Sequence, residues 1–212
     1  MYAKRIYLIK HGETEENALA IHQGQSVGGT LSKRGRDDIR TVGSTLAAAG
    51  IAVDQMLVSP MSRCQESAAL LTDTLAPTHA RVDHRLAAKN SGHLGGWPRD
   101  LAAAEAARQG VPIHQHRTPG GESSEDVQAR YLCLWDDICA GSHRTTLLVG
   151  HGGGIACLLL KLTQHGFEHY LKYVPGSGCL TCVDIHEGAA RIRLMNVPPD
   201  ELAGRLTAHT AR

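Results

Sequence analysis

The sequence predicts an α/β fold of three layers, a mainly parallel sheet flanked by helices. Three observations carry that expectation. An apolar run, Ile6-Tyr7-Leu8-Ile9, ends at Lys10-His11-Gly12. Aliphatic and β-branched residues broken by a glycine read as a buried strand that opens into a loop. A second run, Thr145-Thr146-Leu147-Leu148-Val149, ends the same way at Gly150-His151-Gly152-Gly153-Gly154. Between and around these runs, short apolar stretches alternate with segments of helical periodicity, the pattern of a layered α/β domain.

Strands are expected at residues 5–10, 55–59, 81–83, 145–150, 178–185 and 191–195. The first long helix follows Ser32, a suitable N-cap, with Ile39, Val42, Leu46 and Ala49 at helical spacing and Gly50 as its stop. The next covers residues 62–75. A third begins after Gly120-Gly121, where Ser123 and Asp126 resemble a capping box and Val127, Tyr131, Leu134 and Ile138 share one face. A fourth starts after Gly153-Gly154 and carries Ile155 and Leu158 to Leu160. Residues 97–121 fit this pattern poorly. They read as a lid-like excursion over the sheet edge, with a short helix near 101–109. The tail after Asn196, with Pro198-Pro199 and then polar residues, is expected to be loosely held. The whole of 1–212 reads as one domain, with no linker or repeat dividing it.

Lys and Arg total 22 against 21 Asp and Glu, a net charge of +1. That balance argues against a nucleic-acid or acidic-membrane binder. No apolar run has transmembrane length, and Met1-Tyr2-Ala3-Lys4-Arg5 leads straight into a strand without a signal-peptide pattern. A cytoplasmic protein is expected, with a homodimer as its possible assembly. The six cysteines lie mostly in apolar segments and read as small buried residues. Cys179-x-x-Cys182 has the spacing of half a zinc site, yet it sits in a strand-like run with no second pair near it, so no metal is expected.

In open α/β sheets, ligands bind at the C-terminal edge, near a topological switch point. Two glycine-flanked histidines there, His11 and His151, suggest one site built from both. A third loop, Ser59-Pro60-Met61-Ser62-Arg63, places Arg63 in the first turn of a helix, where backbone N–H groups and the helix dipole favour an anion. Two histidines, nearby cations and glycine-lined amides suit a phosphate dianion. A neutral imidazole among those cations has the means to attack phosphorus and carry the phosphoryl group covalently.

At these residues the chain resembles the histidine phosphatase superfamily, the phosphoglycerate mutase-like enzymes. The matching motifs run through nearly the whole chain in the family's order: Leu8-Ile9-Lys10-His11-Gly12-Glu13-Thr14, then Asn17 and Gln23-Gly24, then Leu31-Ser32-Lys33-Arg34-Gly35. Ser59-Pro60-Met61-Ser62-Arg63, Pro119-Gly120-Gly121-Glu122-Ser123 and Val149-Gly150-His151-Gly152-Gly153 follow. The resemblance implies a phosphoglycerate mutase-like fold and a phosphoric monoester hydrolase working through a phosphohistidine without cofactor or metal. His11 would be the nucleophile, with His151, Arg63 and Lys10 holding the transferring group. Asn17, Gln23, Gly24, Glu122 and Gly152 would line the phosphate and substrate pocket. The substrate would be a small phosphorylated metabolite. The mutase branch usually has a longer middle region than this chain, which favours hydrolysis over phosphomutase activity.

Two departures from the family stand out. Lys10 occupies the place of the arginine before the nucleophile. Lysine keeps the charge and loses the planar fork, at a cost of roughly 1–3 kcal/mol if one charge-assisted hydrogen bond goes. It also serves as a point charge in other phosphate sites. In Leu86-Ala87-Ala88-Lys89-Asn90-Ser91-Gly92, the position of the family's proton-donating glutamate falls on Ala88. A general acid is worth ~10²–10⁴-fold in rate. Its loss matters most for an alkyl phosphate and least for an acyl phosphate, phosphoramidate or pyrophosphate. Lys89, His93, Glu122 and Glu125 are the candidate replacements, of which Lys89 and His93 are preferred because Glu122 belongs to the motif. A degenerate member that binds a phosphorylated ligand without turnover is the alternative. His114-x-His116 reads as a surface loop with possible substrate contact, and Trp97 as a packing residue.

Overall fold

The computed structural model describes residues 4–21, 23–25, 29–112 and 114–210. Its elements follow in the order β1 (Lys4–Lys10), α1 (Glu15–Ala18), α2 (Lys33–Ala48), β2 (Gln55–Val58), α3 (Ser62–Leu75), β3 (His79–Val82), α4 (Arg99–Arg108), α5 (Ser124–Ala140), β4 (Thr145–Gly150), α6 (Gly152–Leu162), α7 (Tyr170–Tyr173), β5 (Leu180–His186), β6 (Ala189–Val197) and α8 (Leu202–Thr210). All six expected strands form, each within a few residues of its expected ends.

They make one sheet in the order β3-β2-β4-β1-β5-β6. The first four strands run parallel, while β5 and β6 are antiparallel additions. The chain leaves β1, builds β2 and β3 at a distance, then returns to insert β4 beside β1. That return makes β1/β4 the switch point, and the register pairs Lys10 with Gly150. The residues that follow them, His11 and His151, therefore emerge side by side, and His11 N–H donates to the Gly150 carbonyl at 3.0 Å.

Strand alternation divides the core. Ile6, Leu8 and Leu148 face one side of the sheet with Val127, Tyr131 and Leu134 of α5 and Ile155, Leu158 and Leu159 of α6. Tyr7, Ile9, Leu147 and Val149 face the other, with Ile39, Val42 and Leu46 of α2 and Cys64 and Leu71 of α3. This period-2 segregation produces the three layers. Ser32 caps α2 by accepting from Gly35 N–H at 3.0 Å, and Ser123 with Asp126 forms a full capping box at the start of α5.

The structure differs from expectation in three places. Residues beyond Asn196, expected as a loosely held tail, extend β6 to Val197 and form α8, whose Leu202 and Leu206 enter the core. Their i, i+4 spacing buries two large side chains, enough to dock a short helix on an existing surface. The final Ala211 and Arg212 lie outside the described residues, as do Met1 to Ala3. Second, α6 begins at Gly152, before the glycines expected to precede it. Third, α1 and α7 were not foreseen. Each has only four residues, too short for a hydrophobic period; Thr14 and Asn17 close a capping box on α1. No helix among the described residues is long and apolar enough to cross a membrane.

Candidate active site

The two histidines sit at the C-terminal ends of the adjacent central strands, with ring centroids 5.2 Å apart. Both are buried, as is Arg63 at 2% exposure. His11 Nδ1 lies 2.8 Å from the Gly12 carbonyl oxygen. A carbonyl only accepts, so Nδ1 carries the proton and the lone pair of neutral His11 is on Nε2. Burial, together with the Arg63 and Lys10 charges, pushes the His11 pKa down to about 3. At neutral pH this imidazole is uncharged, the form a nucleophile requires.

Gly12 allows the close packing behind His11. A Cβ there would press into the Gly35 carbonyl. Gly12 N–H donates to Ser67 Oγ at 3.1 Å, which in turn donates to the Arg63 carbonyl at 2.8 Å. The His11 loop is thus tied to the helix that presents Arg63.

Arg63 Nη2 donates to the Gly24 carbonyl at 2.9 Å and lies 3.3 Å from His151 Nδ1. A guanidinium has no acceptor, so His151 Nδ1 accepts, and the proton on Nε2 is donated to Ser59 Oγ at 2.8 Å. The His151 pKa is driven well down, first by burial, then by the adjacent His11 and by the Arg63, Arg130 and Lys10 charges. Cys64 Sγ sits 3.5 Å from the same Nε2, and burial raises its pKa to about 12, so it stays a thiol. Ser59, Cys64 and Tyr131 are site neighbours that carry little local signal: Ser59 only starts its motif, and the other two read as core.

The floor of the site is the start of α6, whose first N–H groups need partners from outside the helix. Lys10 crosses this floor: a Cβ on Gly152 would lie 3.4 Å from its Cδ. Tyr131 supports it from below, with its hydroxyl donating to the Leu86 carbonyl at 3.2 Å. Asn17 and Gln23 lie beside this centre, their amides engaged with each other and with Thr14; Gln23 also donates to Glu16.

On the remaining flank, Ala88 is buried. Its carbonyl accepts from Gln25 Nε2 at 2.8 Å and from Arg130 Nη2 at 3.0 Å. Arg130 also holds the Arg85 carbonyl and both oxygens of Glu122, while Glu122 Oε2 accepts from Asn90 N–H at 2.8 Å. Glu122 is thereby committed to bracing the segment that carries Ala88 and does not present a free acid. Glu125 is exposed and lies at hydrogen-bonding distance from Gln115. Lys89 is half-buried, and burial lowers its pKa. His93 is exposed beside Trp97, with ring centroids 6.0 Å apart. His116, expected in a surface loop, is buried, and His114 stacks on Phe167 at 4.6 Å. Trp97, expected to pack, is 44% exposed. Cys179 and Cys182 are both buried at β5.

The family model of the histidine phosphatase superfamily (branch 1) matches residues 6–198. The chain belongs to this superfamily. A 2,3-bisphosphoglycerate-dependent phosphoglycerate mutase of Azorhizobium caulinodans is 28% identical over 182 residues, covering 82% of this chain and 88% of the mutase. A broad-specificity phosphatase of Saccharomyces cerevisiae is 27% identical over 186 residues, covering 85% of this chain and 79% of that one. Among solved structures, a mycobacterial hydrolase superposes with a TM-score of 0.80 at 26% identity, covering 93% of this chain and all of its own. The superfamily so sampled contains both phosphatases and mutases.

Proposed function

We propose that this histidine phosphatase superfamily member is a cofactor-independent phosphatase acting on a small phosphorylated metabolite through a phosphohistidine on His11. The observation that carries this reading is the Nδ1 contact to the Gly12 carbonyl, which leaves Nε2 as the only free lone pair on the ring. Nε2 attacks phosphorus and the bond to the leaving oxygen breaks. Arg63, Lys10 and the N–H groups at the start of α6 neutralise the charge on the phosphoryl oxygens. His151, held by Ser59 through Nε2, turns Nδ1 to Arg63 and so orients that guanidinium toward the same oxygens. Water then attacks the phosphohistidine and returns the electron pair to Nε2.

With Ala88 in place of a carboxylic acid and Glu122 held by Arg130, the reading favours substrates whose leaving group needs no proton. The test is acid-quench trapping of labelled phosphoenzyme alongside phosphate release, in wild type and His11→Ala. The expected result is a labelled band and turnover in wild type, with both lost in the variant. Equal hydrolysis by the variant would refute the scheme. A phosphate ligand that binds but is never hydrolysed would establish the non-catalytic alternative instead.

A further inference from the structure

The flank beside Ala88 holds polar groups that the phosphatase scheme does not use. Among the described residues Lys89 Nζ makes one hydrogen-bond contact, a marginal 3.5 Å to the His116 carbonyl. The His116 ring is 5% exposed, and its Nε2 has no hydrogen-bond partner among the described residues. Lys89 and His93 are both within electrostatic reach of that ring. A buried polar nitrogen without a partner is unfavourable, so a ligand that supplies one is favoured there. The backbone of the segment that carries Lys89 adjoins the proposed phosphoryl pocket. The Gly24 turn, whose carbonyl holds Arg63, packs so closely on the Lys89 carbonyl that a Cβ at Gly24 would lie 3.0 Å from it.

The charge on this flank is unusual for a leaving-group side. A carboxylate at position 88 would repel an anion. Alanine removes it, and the nearby acids are occupied: Glu122 by Arg130 and Asp126 by Ser123 and Arg117. The basic groups left on this flank are the half-buried Lys89 amine, the buried His116 ring and the exposed His93 ring.

We infer that Lys89 and His116 form a subsite for an anionic leaving group, and that the substrates are phosphoanhydrides, in which the leaving group is itself a phosphate. This inference rests on the phosphatase reading above and names its substrate class. The chemistry closes without an acid. His11 Nε2 bonds to the terminal phosphorus and the bridging P–O bond breaks. Its electron pair stays on the leaving phosphate, where Lys89 and His116 meet it. Water then cleaves the P–N bond, releasing inorganic phosphate and one proton to solvent. An alkoxide leaves with a conjugate-acid pKa near that of water, about 16, whereas phosphate leaves with one near about 6. The missing acid and the basic flank thus select the same substrate.

The experiment compares kcat/KM of the full chain for inorganic pyrophosphate, acetyl phosphate, p-nitrophenyl phosphate and glycerol 2-phosphate. Pyrophosphate is expected to exceed glycerol 2-phosphate by at least about 100-fold, the scale of a general acid. Lys89→Met is expected to lower the ratio of pyrophosphate to p-nitrophenyl phosphate at least tenfold. Lys89→Arg should restore most of that ratio, and His116→Gln should reduce it in a folded protein checked by thermal melting. An equal fall on both substrates in Lys89→Met overturns the subsite. So does a fall on acetyl phosphate in Lys89→Met as large as that on pyrophosphate, because the acetyl group carries no second anion in the ground state. His11-dependent hydrolysis of p-nitrophenyl phosphate without pyrophosphate turnover sinks this inference alone. Inertness toward all four sinks the phosphatase reading with it.

Discussion

Gly154→Ala tests how the floor of the site is held. A Cβ at Gly154 would come inside 3.0 Å of Cζ, Cε2 and Oη of Tyr131, closer than real Cβ atoms approach a neighbour. The ring has little room to yield. It is 2% exposed, its hydroxyl is bonded to the Leu86 carbonyl, and a Cβ at Gly150 would lie 3.0 Å from the same oxygen. Overpacking of this kind costs about 1–3 kcal/mol, and a displaced hydroxyl adds about 1 kcal/mol. The gain in helix propensity from glycine to alanine returns up to about 1 kcal/mol. A net loss of roughly 1–3 kcal/mol corresponds to a fall in Tm of about 2–10 °C for a chain of this size. Because α6 begins at the site, kcat should fall with it. The assay is a double-mutant cycle by thermal or urea unfolding, with Tyr131→Leu as the second change. In the leucine background the alanine has space, and only its helix propensity remains, so the substitution should become neutral or stabilising. An equal cost in both backgrounds would show that Tyr131 is not what requires glycine there.

Three further outcomes are expected. Arg63→Lys removes the Nη2 group that reaches both Gly24 and His151, and should lower kcat/KM roughly 10–100-fold in steady-state assays while the fold survives. Arg130→Met should cost about 1–3 kcal/mol, discounted for the part-exposure of the pair; Glu122→Gln added to it should cost little more, because the Glu122 carboxylate has already lost its counter-ion. Stability should also fall in acid. His11 has an unfolded pKa near 6.5 and a folded one near 3, so over that window the unfolded chain binds a proton that the native one excludes. Its contribution is complete above about pH 6.5 and is lost as pH falls toward 3, by several kcal/mol in all, with His151 acting in the same direction. His11→Asn should flatten Tm against pH over that window, and an unchanged slope would contradict the assignment.

Much of this was legible in the sequence because the informative residues act locally. Ile6 to Ile9 and Leu147 to Val149 specify buried strands wherever they occur, and Gly12 and Gly150 mark where those strands end. Ser32 and Ser123 cap helices through neighbours three residues away. The residues that were missed act through the fold. Arg130 lies mid-helix and carries no local signal of its role. Its role depends on Arg85, Ala88 and Glu122 meeting it across the layers. Tyr131 reads as one more apolar position of α5, and nothing local says that it decides the glycine at 154. Leu202 and Leu206 had the right spacing, but two apolar residues among polar ones state a helix only when a surface exists to receive them.

The two departures from the family motifs, Lys10 and Ala88, bear on different halves of the proposed reaction. Lys10 lies across the α6 floor, and its charge lowers the pKa of both histidines. That electrostatic effect needs a cation and not a planar fork. The fork is supplied by Arg63, which is buried and tied to Gly24 and His151. Lysine at position 10 therefore preserves the uncharged state of His11 and gives up only some orientation of the phosphoryl oxygens. Ala88 acts on the other side of phosphorus. The Arg130 clamp holds its backbone firmly in place, so the segment keeps its position while lacking the carboxyl group. A chain drifting out of function has no reason to keep a bidentate Arg130–Glu122 pair bracing an alanine. On the proposed substrate class that rigid segment has a use, since it carries Lys89 directly after Ala88.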